Sequence, residues 1–314
     1  MINKIELDKI LNKVDKPARY IGGEQNSIIK EEGTLSNQFQ TRFVFAFPDI
    51  YEIGMSYLGL QIIYKVLNET NGVFCERAFV PWDDMATDLT NNNIPLFTLE
   101  TKTEVNKADI LGITLQYELS YTNILNILEL SKIPFKASDR DESFPFVAGG
   151  GPCAYNPEPL WEIFDFFMIG DGEILLVEVV KEHLEWKKAG EPKIEFLKRI
   201  SKLDGVYVPS FYDINYDEFG IITNIDKKFP EMPNRIKKRI EPDLDVLSFP
   251  TNPIVPFIET VHNRASIEIF RGCSRGCRFC QAGIIYRPVR ERSKEKIKNY
   301  AMEQIKNTGF DEMS

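Results

Sequence analysis

The chain has 314 residues, with 38 Lys and Arg against 47 Asp and Glu, a formal charge of −9, and 43% hydrophobic residues. That is a globular composition with apolar material for about two domains. With 19 Gly and 18 Pro it is not low in complexity, and no run reaches the roughly 18 to 20 apolar residues of a membrane span. The first thirty residues, rich in Lys, Asp and Glu, lack the apolar core of a signal peptide, so a cytoplasmic protein that does not bind membranes is expected.

Short apolar runs alternate with amphipathic stretches over the first two thirds, the pattern of a parallel sheet covered by helices. Residues 42–47 (RFVFAF) predict a strand ended by Pro48-Asp49, after which Met55, Leu58, Ile62, Ile63, Val66 and Leu67 recur at helical spacing. Next come a strand near 73–80, a polar helix or loop over 83–93, a short apolar run at 95–99, a strand at 109–115 and a helix from about 120 to 130. Residues 146–148 form a strand running into Gly149-Gly150-Gly151-Pro152, residues 164–169 another running into Gly170-Asp171-Gly172-Glu173, and a helix from about 174 to 186 closes the series. Five strands with intervening helices predict a doubly wound, Rossmann-like α/β domain over residues 1–190.

Residues 191–261 then read as a β-hairpin (206–211 with 221–227) and a proline-rich linker. From 262 a second domain begins: a strand at 266–270, a cysteine loop, a helix at 293–308 capped by Ser293, and the start of another strand at 309–314.

The glycines at 149, 150, 170 and 172 follow strands, where α/β folds bind ligands at the carboxyl edge of the sheet. Glycine there admits a phosphate or nucleotide tail to backbone N–H groups; tight strand-to-helix turns account for them equally well. Neither copy is a complete G-x-G-x-x-G, so a nicotinamide cofactor is not supported. His183 reads as a surface or partly buried helix residue, Asp83-Asp84 as a solvated helix start, and Tyr117, Tyr121 and Asn123 as core, capping or pocket residues.

Of the five cysteines, Cys75 and Cys153 are isolated, whereas Cys273, Cys277 and Cys280 fall at i, i+4 and i+7. An odd, clustered set fits no simple disulfide framework and points to a metal site in a reducing compartment. Four thiolates would close a zinc site or satisfy every iron of a [4Fe–4S] cluster; three leave one iron open. Gly272 and Gly276 relieve the backbone so that the three sulfurs can aim at one point. A zinc knuckle, with His262, Cys75 or Cys153 as fourth ligand, is the alternative. Ten Lys and Arg lie between residues 264 and 298 against three Glu, so the positive charge of an acidic chain sits on the cysteine loop. Arg271, Arg275 and Arg278 favour thiolates there, and Arg287, Arg290 and Arg292 are candidates for a carboxylate or phosphate, or for an ordinary basic surface.

Cys273-x-x-x-Cys277-x-Phe279-Cys280, after a strand and before a helix, resembles the signature of the radical S-adenosylmethionine (SAM) superfamily. The resemblance implies a [4Fe–4S] cluster held by Cys273, Cys277 and Cys280, SAM on the fourth iron, reductive cleavage of SAM to methionine and a 5′-deoxyadenosyl radical, and Phe279 near the adenine. It also implies a reductant such as flavodoxin or ferredoxin. A doubly wound domain before such a loop is similar to the cobalamin-binding-domain members. The likeness extends to an uncharacterised family among them through residues 16–24 (KPARYIGGE), 47–56 (FPDIYEIGMS), 115–123 (LQYELSYTN), 156–159 (NPEP) and the glycine turn at 149–152. In that class Asp-x-His-x-x-Gly supplies the lower cobalt ligand; here the register reads Asp49-Ile50-Tyr51-Glu52-Ile53-Gly54, with Tyr51 in place of histidine. A neutral phenol is a poor cobalt ligand, which weakens cobalamin as a cofactor without removing it.

Residues 262–314 supply the first βα unit of a radical SAM partial TIM barrel, so the expectation is a truncated, catalytically inactive piece of a longer enzyme acting on an unknown substrate. RNA is one candidate, given the basic loop. The alternative from another class is a non-catalytic ligand- or RNA-binding α/β module with a cysteine metal knuckle.

Overall fold

The computed structural model describes residue 2 and residues 4–32 and 38–314. Its centre is a six-stranded, mostly parallel sheet. The strands are β1 (Thr41–Phe47), β2 (Val73–Phe79), β3 (Ile110–Thr114), β4 (Phe146–Gly150), β5 (Phe166–Met168) and β6 (Val206–Tyr207), in the order β2-β1-β3-β4-β5-β6. Only β6 runs antiparallel to its neighbour. The first five strands thus have doubly wound order, with the topological switch between β1 and β3.

The period-2 pattern of β1 builds both faces at once. Phe43, Phe45 and Phe47 join a core with helices α1 (Leu58–Glu69), α4 (Gly172–Ala189) and α5 (Lys193–Ile200). Val44 and Ala46 point to the opposite core, under α2 (Asp83–Asn91) and α3 (Tyr121–Leu130). Leu60, Tyr64 and Leu67 of α1, spaced i, i+4, i+7, are all buried against the sheet.

The short apolar run at 95–99 makes a single bridge, Phe97 to Glu104. Two of the expected boundaries differ. Residues 206–207 complete the main sheet, and the hairpin lies instead between β7 (Tyr212–Tyr216) and β8 (Ile222–Lys227). Asp217 caps that turn by accepting from the N–H groups of Phe219 and Ile221, both at 2.9 Å. Helix α5 follows Gly190 and Pro192, which in sequence look like a domain end. Its Phe196 packs 4.6 Å from Phe146 and 5.7 Å from Trp186 between ring centroids, so the core continues past residue 190.

The proline-rich stretch is lashed to the domain. Arg239 bridges Gly170, the Ile254 N–H donates to Gln61 at 3.0 Å, and Phe249 stacks on Tyr300 at 4.9 Å. Beyond it, β9 (Phe270–Arg271) pairs antiparallel with β10 (Arg290–Glu291), and α6 (Lys294–Thr308) starts at Ser293, whose hydroxyl accepts from the Lys296 N–H at 3.3 Å. After α6, the N–H groups of Ala265 and Ile267 donate to Glu312 and Ser314 at 2.9 Å, a parallel pairing that matches the strand start expected at 309–314. Among the described residues no helix is long and apolar enough to cross a membrane.

Candidate functional site

The carboxyl ends of β1, β3, β4 and β5 open into a cavity of about 450 Å³, within the range of small-molecule sites. Its floor includes Phe43, Gly112 and Ala148 from the sheet, and its roof Ile62 of α1 and Leu176 of α4. Tyr57, Tyr155 and Tyr286 also line it. Burial pushes the Tyr57 phenol up to about 12 although it faces the Gln116 amide, so it stays protonated and can donate. The far wall is the start of the cysteine loop: Phe270, Arg271 and Gly272 line the same space as the glycine turns.

Three arginines fix that wall. Arg271, 12% exposed, donates to Asp171 at 3.0 Å, to Glu268 at 2.7 Å and to Glu173. Arg290 also binds Asp171 and reaches the Glu241 carbonyl at 2.7 Å; Arg292 meets Glu268 at 3.0 Å. Burial alone would raise the Asp171 carboxyl, but Arg290, the Glu241 N–H at 2.8 Å and Arg271 hold it below the usual range. For Arg271 burial likewise opposes the charge, and the carboxylates of Glu173 and Glu268 outweigh it. The turn at 170–173 is therefore filled by arginines of the cysteine loop, not free for a phosphate. Arg290 and Arg292 are structural cations; Arg275, Arg278 and Arg287 remain exposed.

The predicted cofactor residues separate into those at the cavity and those away from it. Gly150, Gly170 and Gly172 line it; Gly149 does not, and a Cβ there would strike the Phe167 ring at 2.8 Å. Gly170, at φ +127°, lets the Arg239 carbonyl approach to 2.0 Å from where a Cβ would sit, so it serves chain packing. Tyr51 lies outside the cavity, 2% exposed, its hydroxyl donating to Glu24 at 2.9 Å and its ring edge-on to Phe79. It is a core residue in this fold.

Cys273, Cys277 and Cys280 are free thiols on the loop between β9 and β10, Cys277 exposed and the other two half-buried. Gly272, at φ +93°, is required: a Cβ would meet the Pro288 and Tyr286 carbonyls at 2.6 and 2.7 Å. Gly276 has no such constraint, with nothing within 4 Å of its Cβ position. The Arg275 N–H donates to Cys273 Sγ at 3.4 Å, and Phe279 is 91% exposed. Among the described residues no group of three or more His, Cys, Asp or Glu is gathered as a metal site, so the three sulfurs share one loop without meeting at a point. The donor set still fits a site of three thiolates with one open position: three free cysteines within eight residues, one sulfur accepting a backbone N–H. Cys75 is fully buried, its thiol pushed up by burial, and Cys153 is buried in the opposite core, so neither reads as a fourth ligand.

The signal missed in the sequence was the pairing of Asp171 and Glu173 with Arg271 and Arg290, about a hundred residues apart. The three tyrosines of the lining, Tyr57, Tyr155 and Tyr286, were not singled out either, since nothing marks a lone tyrosine in a loop.

Residues 59–209 match the family described as "Radical SAM proteins, N-terminal". That segment is most of the α/β domain and excludes the cysteine loop, so motif and match are independent observations. Together they support membership of the radical SAM superfamily. The chain is also similar to an uncharacterized protein of Methanocaldococcus jannaschii, 27% identical over 262 residues. The alignment covers 83% of this chain and 45% of that relative, so the chain spans about half the relative's length.

Proposed function

We propose that this chain carries the N-terminal domain and the cluster loop of a radical SAM enzyme, with Cys273, Cys277 and Cys280 as the ligands of a [4Fe–4S] cluster and SAM on its open iron. When bound, that group supplies the electron that cleaves SAM and so generates a hydrogen-abstracting radical. The chain's own residues hold and shield. The cysteines supply the sulfur ligands, and Phe279 offers an uncommitted ring for the adenine. Asp171, Glu173 and Glu268 anchor the loop through Arg271, Arg290 and Arg292. A reductant of the flavodoxin or ferredoxin type would dock near Cys277, the most exposed thiol. An RNA substrate would have to use Arg275, Arg278 and Arg287, since the other loop arginines are spent on ion pairs.

The observation that carries the reading is the Cys-x₃-Cys-x-Phe-Cys loop set against the glycine edge of a domain that independently matches the radical SAM N-terminal family. Cobalamin has no histidine ligand at residue 51, so a corrinoid held by this domain would rest on the cavity alone. The test is anaerobic reconstitution with iron and sulfide. About four of each per chain, lost in Cys277→Ala, is expected; one tightly held zinc with no iron would instead make the loop a zinc knuckle.

A further inference from the structure

We propose that Lys238 is a positioning residue for the cysteine loop: its ammonium holds the arm that follows Cys280 by two carbonyls and sets an unpaired positive charge behind that sulfur. After Cys280 the chain makes a single helical turn, Ala282–Ile285, and returns through Pro288 to β10. So short a turn leaves its last carbonyls without intrahelical partners, and a cation at that end meets the negative pole of the turn. Lys238 answers both needs. Its Nζ donates to the Ile285 carbonyl at 2.8 Å and to that of Arg287, and the Tyr155 hydroxyl donates to the same Ile285 carbonyl at 3.3 Å.

Both residues are placed by the α/β domain. Tyr155 ends the short turn Pro152–Tyr155 after β4, and burial pushes its phenol up to about 12, so the hydroxyl stays protonated and donates. Lys238 precedes Arg239, whose backbone is laced to the chain just beyond β5: its N–H donates to the Ile169 carbonyl at 3.0 Å, and its carbonyl accepts from the Asp171 N–H at 2.9 Å. The ammonium also lies 5.9 Å from the centre of the Tyr155 ring. The hold reaches across the loop, because the Arg287 guanidinium donates at 3.2 Å to the carbonyl of Arg275, which lies between Cys273 and Cys277.

The two ends of the loop are fastened by different chemistry. Arg271, before Cys273, is matched by Asp171, Glu173 and Glu268, whereas both hydrogen-bond partners of the Lys238 ammonium are neutral carbonyls. Burial and Arg290 lower the lysine pKa from its ordinary value; Asp171 acts the other way but is itself held by Arg271 and Arg290. A half-buried cation without a carboxylate costs desolvation that a neutral side chain would not, and its charge is left to act on what lies nearby. Cys280 Sγ lies against the capped turn: a Cβ on Gly283 would stand 3.9 Å from it. The turn is only about 6 Å long, so the charge and the last thiol share one small region. A positive charge there favours an added electron on a metal centre held by the loop. That second effect rests on the cluster reading above; the hold on the arm does not.

Three variants of the full chain separate grip from charge. Lys238→Met loses both, and in the metal-free chain tryptic cleavage at Arg275 and Arg278 should accelerate several-fold. Tyr155→Phe removes one hydrogen bond and keeps the charge, so cleavage should accelerate less; it also tests the grip if Lys238→Met folds poorly. Lys238→Arg restores donors and charge and should stay near the unsubstituted chain. After anaerobic reconstitution with iron and sulfide, a redox titration followed by electron paramagnetic resonance should give Lys238→Met a lower midpoint. At a fixed potential its reduced-to-oxidised ratio should fall about tenfold, equivalent to about 59 mV for a one-electron couple. Tyr155→Phe and Lys238→Arg should keep the original midpoint, a pattern that mere loosening of the fold would not give. Unchanged cleavage in both Lys238→Met and Tyr155→Phe, Lys238→Arg as loose as Lys238→Met, or an unchanged midpoint in Lys238→Met would overturn the proposal. Uptake of zinc and no iron would sink the cluster reading and the charge effect with it, while faster cleavage of metal-free Lys238→Met and its rescue by arginine would still uphold the grip. Iron uptake with unchanged cleavage in every variant would do the reverse.

Discussion

Two arginines, Arg77 and Arg271, each sit among carboxylates, and the difference between them separates what holds the fold from what holds the loop. Arg77 on β2 is fully buried, bound to Glu24 at 2.8 Å and Glu100 at 2.7 Å, and its backbone N–H also donates to Glu100. All three groups belong to the α/β domain, and Tyr51 is tied in through Glu24. Arg271 links different parts of the chain: its partners Asp171 and Glu173 start α4, while the arginine itself precedes Cys273. The first network closes an edge strand; the second fastens a reactive loop to a cavity wall.

That contrast is broken most severely at Arg77. Arg77→Ala should strand Glu24 and Glu100 without a cation in the core and cost about 3–5 kcal/mol of unfolding free energy. Urea denaturation measures it, and a loss below about 1 kcal/mol would mean that the network is solvated in solution. Arg77→Met together with neutral Gln at 24 and 100 should recover much of the loss, because paired removal leaves no unpaired charge.

The second effect comes from the same domain. His183 on α4 is 1% exposed, its Nδ1 2.9 Å from the Thr41 hydroxyl, and burial lowers its pKa to about 4. The unfolded chain takes up this proton near pH 6.5 and the folded chain only near 4, so the stabilisation is complete above pH 6.5 and is lost as pH falls between those values. The largest loss is about 3 kcal/mol. Chemical denaturation at pH 7 and pH 4.5 should show it, and His183→Gln should flatten the profile; an unchanged slope in that variant would assign the acid sensitivity to other groups.

How much of this was legible in the sequence follows the range of the interactions. The five parallel strands and their helices are visible because β1 and α1 write their burial locally, every second residue in one and every third or fourth in the other. The cysteine loop is legible because its three thiols lie within eight residues. Tyr51 was placed at a ligand site by register alone, whereas its burial depends on Glu24, a partner from a segment with no periodic pattern. Helix α5 was hidden by Gly190 and Pro192, although Phe196, Leu197 and Ile200 bury its inner face. The acidic turn at 171–173 looked like a ligand turn because its arginine partners lie about a hundred residues on.

The loop network gives smaller and more local effects, and they sharpen the comparison. Asp171→Asn keeps the shape of the side chain and removes the charge shared by Arg271 and Arg290. It should weaken the junction by about 1–3 kcal/mol. Because Glu173 and Glu268 still hold Arg271, the global melting temperature should move little, while tryptic cleavage at Arg275 and Arg278 accelerates several-fold. A fall in melting temperature as large as that of Arg77→Ala would erase the distinction between the two networks. Smallest of all is Phe279→Ala. With 91% of the residue exposed, its removal should change stability by no more than about 0.5 kcal/mol. A large apolar side chain left in water beside three thiols has no part in the fold, so its effect should appear only in the affinity of the reconstituted chain for SAM. If that affinity is unchanged, the ring belongs to another contact and the adenine is held elsewhere.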